Sequence, residues 1–296
     1  MDNSFYIDKF RVYLIEEKKV STHTVESYLR DIKQFNDFCL KQNIIDFSII
    51  TKTQIISYLI YLQKKGKATS TITRSLAALR GLFDYLLNCG YIILNPTINL
   101  ETPKIEKKIP QTLTIKEVEK FLEMPDISTK KGIRDKAILE LLYSTGLKVS
   151  ELINLKLDNI NIDKRIIHSC HDSNKREIPI GSVAIEYIEK YLLDCREDIL
   201  KDKSNNHLFV NMQGCGMTRQ GLWKIIKGYT KEAKIKKTIT PHMIRHSFAL
   251  HLIQNGADLH SVQELLGHAD ISSTQVYIRA SNHNINEIYN NSHPRA

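Results

Sequence analysis

No run of apolar residues in this chain approaches the roughly eighteen needed to cross a bilayer, so a membrane-spanning reading is set aside. The opening stretch, MDNSFYIDKFRVYL, mixes acids and bases and lacks the basic-then-apolar order of a secretory leader, so a cytoplasmic protein is expected. Cysteine is sparse: five residues, at 39, 89, 170, 195 and 215, with no Cys-x-x-Cys pair. That spacing speaks against a zinc knuckle or a redox dithiol, and free buried thiols in a reducing compartment are the expectation. Internal repeats and low-complexity tracts are also missing. Acids thin out toward the C-terminus: residues 206–256 carry one, Glu232, against eight Lys or Arg. Such a composition offers no carboxylate cluster for Mg²⁺, and neither metal nor cofactor is expected.

Positive charge is what the chain has in excess. A formal net charge of +9 over 296 residues suits a polyanionic partner. In TRQGLWKIIKGYTKEAKIKK, Lys224, Lys227, Lys231 and Lys234 recur at helical spacing and predict one basic stripe. Leu222, Ile225, Ile226, Tyr229 and Ala233 fall largely on other faces of the same helix. A solvated lysine face has the same pattern, but the shortage of acids around this one favours a phosphate backbone. Arg74 and Arg80 are further candidates for DNA contact, in the first hundred residues.

Length favours two domains, and a hydrophobic content of 42% supplies a core for each. Residues 1–100 read as an all-α domain. STHTVESYLRDIKQFNDFCLKQ places Val25, Tyr28, Leu29, Ile32, Phe35 and Phe38 at a 3.6 period, with Ser21 or Thr22 as N-cap. TKTQIISYLIYLQKKG and TSTITRSLAALRGLFDYLLNCG continue the pattern to Gly66 and Gly90. Residues 101–112, with two prolines and no apolar period, read as an exposed linker. A second domain, 113–296, opens on a capping box, Thr114 with Glu117. KKGIRDKAILELLYSTGLKVSELINLKLDNI predicts two short helices broken at Gly146. KRIIHSCHDSNKREIPIG predicts a β-hairpin, and everything after Val183 reads as helical. The fold class expected is therefore mainly α, in two domains, with one small sheet in the second.

Four residues near the end invite chemistry: His242, Arg245, His268 and Tyr277. His242 and Arg245 stand three apart on a helix that Pro241 starts, sharing a face. Gly267 suits a helix C-terminus, which puts His268 just beyond it. Tyr277 falls one turn into the helix predicted from DISSTQVYI. A phenol, with a pKa near ~10, attacks only when cations stabilise its phenolate and a base takes its proton. An arginine fork suits the charge that builds on a phosphodiester under attack, and histidine can share the proton. The set can transfer a phosphoryl group without a metal.

The stretch TPHMIRHSFALHLIQNGADLHSVQELLGHADISSTQVYI resembles the C-terminal signature of the tyrosine recombinase (phage integrase) family, most nearly its bacterial Xer branch. The likeness extends to the helical N-terminal region, the linker, STGLKVSELINLKLDNI, the hairpin and the ending SHPRA. It implies a two-domain clamp on duplex DNA carrying two half-sites. Tyr277 would be the nucleophile, forming a 3′-phosphotyrosyl link and releasing a 5′-hydroxyl. Arg245 would bind the scissile phosphate, and His242 and His268 would manage protons and phosphate contacts. Further implications are a homo- or heterotetramer on DNA joined by a C-terminal helix near 284–291, a second recombinase, a DNA translocase, and resolution of chromosome or plasmid dimers. A mobile-element integrase is the alternative enzyme.

Two positions depart from the family pattern. Lys148 stands where an arginine is usual, keeping the charge but losing the bidentate fork. The expected penalty is about one to three kcal/mol in transition-state binding, or roughly tenfold to a hundredfold in rate. In the hairpin turn, ungapped counting puts His171 where a general-acid lysine is usual, with Lys175 four residues on. Imidazole can also donate a proton. Three readings stay open: a tuned enzyme, one half of a heteromeric pair, or a DNA-binding relative that no longer cuts.

Overall fold

Apolar and aromatic residues on one face of each helix build the first part of the molecule. In a computed structural model that describes residues 3–102, 110–169, 176–201 and 203–267, two units separate, Met1–Lys107 and Lys108–Ala296. The first contains α1 (Asn3–Glu16), α2 (Thr22–Leu40), α3 (Lys52–Lys64) and α4 (Thr69–Asn88). Ser21 caps α2, accepting from the Thr24 N–H. Val25, Ile32, Phe35 and Phe38 of α2 are buried together with Phe10, Phe47, Tyr58 and Phe83. Phe35 meets Tyr58 edge-on with ring centroids 5.0 Å apart, a geometry that adds to simple area burial. Gly66 and Gly90 follow α3 and α4 with positive φ.

The second unit is wrapped around α6. In chain order it has α5 (Ile115–Leu122), α6 (Lys130–Thr145), α7 (Val149–Asn154), β1 (Ile160–Asn161), β2 (Ile166–Ser169) and β3 (Arg176–Pro179). There follow α8 (Ser182–Tyr191), α9 (Glu197–Leu200), α10 (Arg219–Glu232), α11 (Pro241–Gln254) and α12 (Leu259–Leu266). α6 is buried along most of its length and packs on α8 and α11. The predicted hairpin is there, β2 against β3 with Ile167 opposite Ile178, and a short β1 adds a third antiparallel strand. A two-residue strand carries too little alternation to be seen in sequence. The capping box at Thr114 is formed in both directions.

Several expectations need correction. The helix before Gly146 is not short, since α6 runs sixteen residues. The chain beyond Val183 is not all helical: residues 203–217 are irregular, bridged to the rest at Lys156–His207 and closed on themselves at Val210–Gly216, with Leu208, Phe209 and Val210 buried in the core. That segment is held by the buried Arg196, whose guanidinium donates to the carbonyls of Asn205, His207 and Leu208. α8 passes into α9 through a π-helical turn, Leu192–Arg196. Cys39 and Cys195 are buried as expected, but Cys89 and Cys215 are exposed. Burial pushes the Cys39 thiol up to about 12. Among the described residues, no helix is long and apolar enough to cross a membrane.

Candidate active site and DNA-facing surface

Two glycines decide where helices stop at the site. α6 ends at Gly146 and α12 at Gly267, both left-handed, with φ of 59° and 63°. A Cβ at Gly146 would sit 2.4 Å from Cδ1 of Phe248, so only glycine lets α11 approach the end of α6 this closely. Each helix end leaves carbonyls without intrahelical partners and carries partial negative charge.

Arg245 answers both ends. Thr240 caps α11 by accepting from the Met243 N–H, and Pro241 fills the first turn. One turn in, the Arg245 side chain is buried, and its guanidinium donates to Gly146 O at 2.5 Å and to Leu266 O at 2.6 Å. Lys148 lies two residues beyond the first carbonyl, and His268 two beyond the second. One cation therefore ties together the two chain segments that lead to those candidate residues. His242 is exposed, so the HxxR pair does not present both side chains alike as its shared face had suggested.

Lys148 is half-buried and is the N-cap of α7, its N–H donating to Glu151 Oε2 at 2.7 Å. The other oxygen of Glu151 forms an ion pair with Arg176 Nη2 at 2.9 Å, and both side chains are largely buried. Arg176 is the first residue of β3, and its Nε donates to Leu265 O at 3.1 Å. The last turn of α12 thus has one arginine on Leu265 and another on Leu266. His246, also on α11, titrates well below the ordinary imidazole value, at about 4, because it is buried and then because His242 and Arg245 are near. It is neutral at physiological pH.

A second polar chain fixes the start of the unit on α11. Leu113 N–H donates to Ser247 Oγ at 2.8 Å, and Leu113 O faces His251 Nε2 at 2.9 Å. The carbonyl requires the proton on Nε2, so Nδ1 accepts from the Tyr143 hydroxyl at 2.9 Å. Lys237 Nζ donates to Thr112 O at 3.1 Å and to Glu117 Oε2 at 2.8 Å. Burial lowers the pKa of His251 as well.

The basic stripe lies on α10. Lys224, Lys227 and Lys231 are exposed, while Leu222, Ile226 and Tyr229 are buried. Lys234 is exposed but lies past the helix end with a left-handed φ of 52°, so it does not extend the stripe as a helical residue. Tyr229 anchors the helix, its hydroxyl donating to Asp135 Oδ2 at 3.0 Å, and Arg134 neutralises that buried carboxylate. In the N-terminal unit, Arg74 makes a two-pronged pair with the buried Asp31 at 2.8 and 3.0 Å. Arg80 donates to Thr102 Oγ1 at 3.0 Å and to Leu100 O. Both arginines hold their own unit together, a task that sequence reading did not assign them.

His171, Lys175, His268 and Tyr277 lie outside the described residues, as do the linker residues 103–109 and the segment near 284–291. Sequence reading missed Glu151, Arg176, His246 and the Ser247–His251 clamp. Two of these had a signal: Glu151 stands at the third helical position after Lys148, and Arg176 shares strand parity with buried Ile178.

The sequence pattern of the phage integrase family matches residues 111–284, and that of the phage integrase N-terminal SAM-like domain matches residues 7–90. Tyrosine recombinase XerD of Listeria innocua is 42% identical over 293 residues, covering 98% of this chain and 99% of that protein. Tyrosine recombinase XerD of Staphylococcus haemolyticus is 42% identical over 291 residues, again 98% and 99%. Among solved structures, XerA recombinase aligns at 25% identity with a TM-score of 0.54, over 99% of this chain and 100% of that one. In fold the chain is also similar to XerH site-specific recombinase bound to palindromic difH DNA, with a TM-score of 0.74 at 23% identity over 95% and 93%.

Proposed function

Since the chain belongs to the phage integrase family and is a site-specific tyrosine recombinase of Xer type that acts on DNA, we propose that Tyr277 is its nucleophile. The Tyr277 Oη–phosphorus bond forms as the bond to the 5′-oxygen breaks, and the phenol proton passes to a base. The resulting 3′-phosphotyrosyl link keeps the energy of the broken bond, so the 5′-hydroxyl of a partner strand can reverse the step without ATP. Arg245 binds the scissile phosphate, with His242 and His268 sharing phosphate contacts and protons. Lys148 supplies a second positive charge, and His171 or Lys175 protonates the leaving 5′-oxygen. The observation that carries this reading is the buried Arg245 guanidinium, which gathers the backbone leading to Lys148 and the backbone leading to His268.

Residues 1–100 serve as the core-binding domain and 113–296 as the catalytic domain, with 101–112 between them. The exposed Lys224, Lys227, Lys231 and Lys234 meet the DNA backbone, and in the N-terminal unit so does Arg74, whose side chain is 42% exposed while pairing with Asp31. The working form is a homo- or heterotetramer on a site of two half-sites, activated in the cytoplasm by a translocase, and its task is resolution of chromosome or plasmid dimers.

The test is a covalent complex on a denaturing gel. Duplexes selected for binding from a random pool are nicked within the central region and incubated with the protein in the absence of metal. An adduct present in wild type and absent in Tyr277→Phe is expected, and Lys148→Arg should form it roughly tenfold to a hundredfold faster. Binding without an adduct in either wild type or Lys148→Arg, even with a second recombinase added, would leave a DNA-binding protein that does not cut.

A further inference from the structure

We propose that Arg176 is a positioning residue for the cleavage step, a brace that sets the backbone on either side of the catalytic groups while touching no DNA itself. The inference deepens the reading of the site given above and rests on it. Arg176 is one-tenth exposed, and its guanidinium joins β3 to two other chain segments, α7 and the end of α12. Nη2 pairs with Glu151 Oε1 at 2.9 Å, and the other oxygen of that carboxylate accepts the Lys148 N–H at 2.7 Å. Nε donates to Leu265 O at 3.1 Å, in the last turn of α12. Nη1 lies against Gly267, where an added Cβ would come within 2.4 Å of it. Arg176 is itself the residue after Lys175, and Gly267 the residue before His268. Three of the proposed catalytic positions are therefore tied to this guanidinium in the chain: Lys148 through Glu151, Lys175 as the residue before Arg176, and His268 as the residue after Gly267.

The physical case is one of geometry and charge together. A planar fork can serve a carboxylate and a carbonyl in fixed directions at once, which an ammonium cannot. Glu151 without its cation would be a buried carboxylate beside the Lys148 N–H, and it would turn toward whichever donor remained. The α12 carbonyls would keep Arg245 on Leu266 but lose the partner of Leu265. Nη2 is buried, and among the described residues the Glu151 carboxylate is the group it faces at 2.9 Å. A displacement of about 1 Å at the ends of such segments is enough to cost on the order of a hundredfold in rate, with the fold intact.

Arg176→Lys and Glu151→Gln are compared with wild type on the selected, nicked duplex. Three quantities are read: the dissociation constant for DNA, the single-turnover rate of adduct formation at saturating protein, and backbone hydrogen exchange. Both variants should bind DNA within about twofold of wild type and form the adduct at least tenfold more slowly. Exchange at Leu266 and Gly267 should quicken at least tenfold, with the amides of α8 unchanged. Should Arg176→Lys lower the melting midpoint by many degrees, the Glu151→Gln variant, which retains shape and arginine, carries the comparison. A wild-type adduct that both variants match in rate overturns the inference alone, as does a loss of DNA binding equal to the loss of rate. No adduct from wild type overturns the catalytic reading and the inference with it.

Discussion

The two units of this molecule are held together by different materials. The N-terminal unit is packed with aromatic rings: Phe10, Phe35, Phe47, Tyr58 and Phe83 are fully shielded from solvent, and among its described residues the buried charge is one carboxylate, Asp31, neutralised by Arg74. The catalytic unit buries Arg134, Asp135, Lys136, Glu140, Glu151, Arg196, Arg245 and His251. Apolar contact is tolerant of small shifts, whereas a buried charge holds its neighbours to hydrogen-bond distances or costs several kcal/mol. A unit that only has to keep its shape can be built from the first material. A unit proposed to hold a phosphate, a nucleophile and their proton partners in register is served by the second.

The contrast can be broken from its apolar side first. Phe83→Ala removes a ring from the centre of the N-terminal core and should cost about 3–5 kcal/mol, read as a shift in the urea midpoint of that unit. On the polar side, Arg245→Gln should lower the single-turnover rate of adduct formation by about a hundredfold to a thousandfold, the scale for losing one preorganised charged donor.

A smaller effect should separate the units by pH. In the native catalytic unit His246 takes a proton only near pH 4, while in the unfolded chain it does so near 6.5, and His251 is shifted the same way. Between those values the unfolded state binds more protons, so stability is lost as pH falls from about 6.5 toward 4. Trp223, the single tryptophan, reports on the catalytic unit by fluorescence. Its thermal midpoint should drop across that window, and His246→Gln should flatten the drop. The N-terminal unit, whose one histidine is the exposed His23, should change little over the same range. Least of all, Lys227→Ala should leave stability within ~0.5 kcal/mol and reduce the slope of log binding constant against log salt by about 1.

Local signals carried much of this architecture into the sequence. Ser21, Thr114, Gly146 and Gly267 act within a few residues of themselves, and each was legible as the cap or stop it is. The hairpin was legible from alternation, and the helix of α10 from its period. What escaped were bonds between residues far apart in the chain. Arg245 reaches a carbonyl 99 residues away and Arg176 one 89 residues away, and nothing near either residue announces it. Residues 203–217 escaped for the same reason, being shaped by the carbonyl contacts of Arg196 rather than by a period of their own. Tyr277 is singled out as the proposed nucleophile only by the long signature around it, since a single tyrosine among thirteen says nothing.

The clamp on Leu113 has a mechanical consequence. From Thr112 O to Thr114 N–H, four successive backbone groups are pinned, two of them directly to Ser247 and His251 of α11. A pull on the chain upstream of residue 112 is therefore delivered to the helix that carries His242 and Arg245, and α5 is sheltered behind the pins. Force entering the second unit by that route arrives at Arg245 within two helical turns.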